Sequence, residues 1–161
     1  MTDENWLATF LEQIDTAIDE YGWACRAVED AIDDTGNTAG PAFVHTIGLE
    51  DRGHPEFVVT GLPAAVATRV VNRLCEWLFD GTRAWPEPGE TIHDLLSGGY
   101  EVRVVRVDPA ISEDDDRFAA AYARRGSRGG FRASQLVWQL ADRSWPDDSV
   151  EHQPLLGEPW W

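Results

Sequence analysis

The 161-residue chain carries 29 acidic and 13 basic residues, a formal net charge of −16, and every basic side chain is an arginine. A field of that sign disfavours DNA, RNA and anionic membrane surfaces as general partners, and it favours a basic protein partner. The length fits one domain, 1–161, which at this size buries about 70% of its unfolded surface, so neither a disulfide framework nor a structural metal is needed for stability.

The chain begins Met-Thr-Asp-Glu-Asn, with no basic region and no apolar run of leader length, and no stretch reaches the roughly 20 apolar residues of a membrane span. A cytoplasmic location is the expectation. Residues 4–21 read as an amphipathic helix: Leu7, Phe10, Leu11, Ile14, Ile18 and Tyr21 recur at three- and four-residue steps, and Gly22 stops the pattern. Trp23–Glu29 reads as a strand. Glu29–Gly40 is acidic and turn-rich, either a hairpin-type connection or a mobile loop. Ala42–Ile47 and Phe57–Thr60 are strands, and the short turn between them, with Gly53, His54 and Pro55, predicts antiparallel pairing.

Pro63 suits a helix start, and Val66, Val70, Leu74, Trp77 and Leu78 mark a helix to about Asp80. Asn72 is out of character inside it. Residues 81–99 are irregular, with a short strand or helical turn over Thr91–Ser97. Glu101–Val107 is the clearest strand, alternating Val with Arg. Ser112 is expected to cap a helix over about Glu113–Arg125. A Gly-rich loop, 126–132, precedes a last strand over Gln135–Leu140. The core is expected over about 4–140, and 142–161 reads as an irregular tail. The fold class is α+β: a mainly antiparallel sheet of about five strands packed against two main helices. Eight Trp are explained first as core and rim packing.

Three groups of residues could carry chemistry. His45, Thr46, His54 and Glu56 cluster around the 50–56 turn, but their spacing matches no zinc pattern, so no metal is assigned. Arg124, Arg125, Arg128 and Arg132 form the one basic patch, and Arg128 and Arg132 suit an anion. The charge order along that helix is also what its dipole favours. No serine stands in a nucleophile elbow, and Cys25 and Cys75 have no motif partner, so they read as buried free thiols.

Gly22-Trp23, Pro41-Ala42-Phe43 with Thr46-Ile47-Gly48-Leu49, Gly53-His54-Pro55-Glu56-Phe57, Gly61-Leu62, Asn72 with Leu74, and Gln135-Leu136-Val137-Trp138 together resemble the bacterial family called domain of unknown function 4262, from about residue 20 to about 148. The resemblance implies one compact domain and makes His54-Pro55-Glu56 a shared feature. It implies no activity, and the pattern has an aromatic residue where His45 stands.

The leading functional reading is a non-catalytic binding or interaction domain that takes a protein partner or a small ligand near Thr46, His54 and Glu56. The alternative is a small enzyme or cofactor binder that holds an anionic ligand, a nucleotide or a flavin, between Arg128, Arg132 and Trp138, with His54 as acid or base. Whether there is an enzymatic activity, and with which cofactor, stays open at this level, as does the oligomeric state.

Overall fold

The computed structural model describes residues 3–28, 31–32, 35–36, 38–40, 42–114, 132–147, 150 and 153–161. Helix α1 (Asp3–Tyr21) ends where the Gly22 N–H returns to the Ile18 carbonyl at 2.8 Å. Strand β1 (Ala24–Val28) pairs antiparallel with β4 (Phe43–Ile47). Between them β2 (Ala31–Ile32) and β3 (Thr38–Gly40) form a small antiparallel ribbon, so the acidic connection is hairpin-like. β4 pairs antiparallel with β5 (Glu56–Thr60), as the short turn predicts. Helix α2 (Ala64–Phe79) follows, with Pro63 at its N-cap.

The main sheet has six strands rather than about five. The sixth is β6 (Thr91–Ile92), which pairs with β7 (Val102–Arg106). The order is β1-β4-β5-β8-β7-β6, where β8 is Ala133–Trp138. Four of the pairings are antiparallel, and β5 with β8 is parallel, with Glu56 beside Ala133 and Val58 beside Gln135. The class is α+β and the sheet mainly antiparallel. The parallel central pair departs from a wholly antiparallel order; it joins segments far apart in sequence and has no local signature.

Alternation along the strands gives the sheet two apolar faces. One face, with Val44, Phe57, Val59, Val104 and Leu136, packs under α2 through Ala67, Val71, Leu74 and Cys75. The other, with Phe43, Ile47 and Val58, packs against Phe10, Ile14 and Ile18 of α1. β4 and β5 are therefore buried along their whole length.

The helix expected over about Glu113–Arg125 lies outside the described residues from residue 115 on, and a short helix is found just before it. Helix α3 (Pro109–Asp114) starts beside Asp108, whose Oδ1 accepts the Ala110 N–H at 2.9 Å, and Ser112 lies inside it rather than capping it. Pro109 opens this helix, where its missing N–H costs nothing. Arg124, Arg125, Arg128 and the Gly-rich stretch up to residue 131 lie outside the described residues.

The core also runs past residue 140. Gln153 and Leu156 are buried. The Gln153 side-chain amide pairs with the backbone of Trp138 as a strand would: Nε2 donates to the Trp138 carbonyl and Oε1 accepts the Trp138 N–H, both at 2.9 Å. Gln135 Nε2 donates to the Pro154 carbonyl (2.9 Å) and Thr60 Oγ1 (3.0 Å), while its Oε1 accepts the Leu156 N–H (2.7 Å). At Gly157 a Cβ would stand 1.9 Å from the Arg106 carbonyl oxygen, so only glycine allows this approach. Beyond it, Trp145, Trp160 and Trp161 surround the Arg103 guanidinium at 4.1, 4.7 and 5.1 Å from their ring centres. These tryptophans pack the rim.

Candidate functional site

β4 and β5 meet at a one-turn 3-10 helix, Leu49–Arg52, bounded by Gly48 (φ 115°) and Gly53 (φ 80°). Both glycines hold left-handed backbone, which lets the chain reverse tightly. The reversal aims its N–H groups inward at Glu56. Glu56 Oε1 accepts from Gly48 N (2.9 Å) and Glu50 N (3.0 Å), and Oε2 accepts from the Thr46 hydroxyl (2.7 Å). Thr46 Oγ1 in turn accepts the Phe57 N–H at 2.9 Å. The Glu56 residue is only 2% exposed. Burial pushes its carboxyl up to about 7, against the Thr46 hydroxyl and the Glu50, Gly48 and Leu49 N–H groups, which favour the ionised form. Both oxygens are thus engaged. The pair fastens the turn to the strands.

His54 sits just past the turn. Its N–H reaches the Leu49 carbonyl (3.2 Å), and its ring stacks on Trp85 with centroids 3.8 Å apart and planes 3° from parallel. Burial and the nearby Arg132 hold the imidazole below its ordinary value, so it is neutral near pH 7. Arg132 Nη2 donates to the Gly53 carbonyl (2.8 Å), its Nε lies 3.7 Å from Glu50 Oε1, and its carbonyl accepts the Glu56 N–H (3.0 Å). Thr46, His54, Glu56 and Arg132 therefore converge on one end of the sheet.

Trp138 does not join them. β8 carries it to the opposite end, about 17 Å along the strand from Ala133, where Nε1 donates to the Thr60 carbonyl at 2.9 Å. Arg128 is outside the described residues. His45 is also separate from His54: it faces Val58 across β4 and β5, is fully buried, and is pulled down to about 4, chiefly by burial. Among the described residues no group of three His, Cys, Asp or Glu side chains could hold a metal ion, and no helix is long and apolar enough to cross a membrane.

The described surface has a concave feature elsewhere. A cleft of about 490 Å3 opens beside β1 between α1 and α2, with Phe10, Tyr21 and Trp23 as its aromatic wall and Gln13, Asn72 and Glu76 as polar positions. Asn72 Oδ1 accepts from Trp23 Nε1 (2.9 Å) and the Cys25 thiol (3.2 Å), which ties α2 to the sheet edge and explains a polar residue in mid-helix. Burial pushes Cys25 up to about 12 and raises Cys75 as well, so neither is a reactive thiolate at neutral pH. The sequence offered one signal for this cleft, Asn72. Phe10, Ile14 and Tyr21 looked like plain core stripe, and nothing local tells which stripe residues border an opening.

Comparison with protein families matches residues 17–150 to "Domain of unknown function (DUF4262)". The chain belongs to that family. No curated protein and no solved structure matches it significantly.

Proposed function

We propose that this member of the DUF4262 family is a non-catalytic binding domain, and that the cleft between α1 and α2 is its binding site. The observation that carries the reading is the contrast between the two polar sites. Glu56 and Thr46 are consumed by backbone and by each other, whereas the cleft presents aromatic area and partly exposed polar groups around an open volume. Tyr21, at its rim, is 61% exposed. Binding sites combine those features. We place the domain in the cytoplasm, a reading supported by its two free thiols.

The anion-binding alternative rests on Arg132 beside His54, but Glu50 already lies against that guanidinium. Thermal-shift measurements on the whole chain separate the two. Cationic peptides, nucleotides and flavins are compared on the wild type, on Gln13→Trp, which fills the cleft mouth from an exposed position, and on Arg132→Ala. A ligand that raises the wild-type Tm and loses its effect in Gln13→Trp supports the cleft. Stabilisation by a nucleotide or flavin that survives Gln13→Trp and disappears in Arg132→Ala would overturn it.

A further inference from the structure

We infer that the cleft takes an extended cationic segment of another protein, which adds as a further strand to the free edge of β1. The inference rests on the binding-domain reading above and specifies its ligand.

The first ground is hydrogen bonding. β1 ends the strand order, and among the described residues no backbone group bonds to its outer side. In an antiparallel edge strand alternate residues turn both N–H and C=O outward, a ready template for another chain. β1 is also less covered than β4 and β5: Cys25, Arg26 and Val28 are half-buried and Ala27 is exposed.

The second ground is that the opposite end of the sheet offers no comparable strand. The Val104 N–H goes to the Glu90 carbonyl (2.9 Å), while the Val104 carbonyl accepts from Gly89 N (3.0 Å) and Trp160 Nε1 (2.9 Å). β6 pairs alongside and is only two residues long. The longer of the two edge strands, β1, lies at the floor of a cleft, which Trp23, Ala24 and Cys25 line directly. A strand laid there would turn alternate side chains toward the aromatic wall, the mode by which extended peptides join sheets.

Charge decides the occupant. The α1 sequence contains six acidic residues and no basic one, and among the described residues Glu76 is the only charged one lining the cleft. Arg26 and Arg73, on β1 and α2, lie over the rings of Phe10 and Trp77, at 5.2 and 5.4 Å from the ring centres. A second copy of this chain would bring another −16 and another α1 to the same edge. Like charges so placed repel, whereas a Lys- or Arg-bearing segment gains in attraction and in rate of encounter.

The test uses the whole chain and a labelled peptide of about nine residues, long enough to overhang the five residues of β1, with Arg and Val alternating. Two controls accompany it: the same peptide N-methylated on alternate backbone nitrogens, and a Glu–Val counterpart. Fluorescence anisotropy gives Kd, and amide hydrogen exchange follows Ala24–Val28. The expected result is binding that weakens as salt rises from about 50 to about 500 mM, protection of β1 amides, and loss of about tenfold or more on N-methylation, on charge inversion, and in Glu76→Arg. N-methylated peptide binding as tightly as its parent, yet losing affinity in Gln13→Trp, would sink strand addition and leave the cleft reading standing. Affinity unaffected by Gln13→Trp would sink both. Absence of binding by the Arg–Val peptide, or a peptide-free dimer that protects β1 in sedimentation and exchange measurements, would also overturn the inference.

Discussion

The central strands carry a buried polar network at each end, and the two use different chemistry. At the turn end, one carboxylate gathers N–H groups from the Gly48–Glu50 backbone and a hydroxyl from Thr46. At the other end, the neutral amides of Gln135 and Gln153 each donate and accept, and they bind the tail to β5 and β8. A carboxylate only accepts, so it suits a place where backbone donors converge. An amide carries both functions, so Gln153 can pair with the Trp138 backbone on the side of β8 away from β7. The difference also means that only the turn end senses protons.

The largest way to break this contrast is Glu56→Ala. It strands two backbone N–H groups and a hydroxyl in a buried place, and should cost about 4 kcal/mol in urea unfolding. A loss below about 1 kcal/mol would mean that the carboxylate is not the fastener. Glu56→Gln sharpens the contrast through pH. The folded carboxyl sits near 7, above its ordinary 4.5. Folding therefore takes up a proton between those values, and the associated stability is fully present below 4.5 and lost as pH rises through 7. The stability of wild type relative to Glu56→Gln should fall over that window. A flat difference across pH 4–8 would refute the protonation argument. The smallest effect is expected for Gln153→Ala, about 2 kcal/mol with no comparable pH dependence, together with faster proteolysis of the tail. If the tail stays protected, the amide pairing with Trp138 is dispensable.

Much of this architecture was legible in the residues. The α1 and α2 stripes repeat over several turns, and Gly53 and Pro55 announce the β4–β5 reversal. Thr46, His54, Glu56 and Arg132 were singled out and do meet. What was illegible is how they meet. That Glu56 faces inward depends on left-handed backbone at Gly48 and Gly53 aiming donors at it, a tertiary fact. Gln153 sits in a Pro-rich tail with no periodicity, so neither its burial nor its pairing had any pattern to betray it. Ser112 fits a cap by residue type, whereas Asp108, on the near side of Pro109, is the residue whose carboxylate meets the first free N–H. Trp138 was grouped with Arg132 on chemistry alone, and strand direction separates them.

The parallel seam between β5 and β8 has a kinetic side. Thr60 and Gln135, which meet across it, are 75 residues apart in the chain. The strands on either side find their antiparallel partners over shorter separations, so each half of the sheet can assemble early. Closing a long loop costs entropy before the contact repays it. The seam is therefore the step that waits, and a refolding chain would first show two half-sheets with their inner strands unjoined.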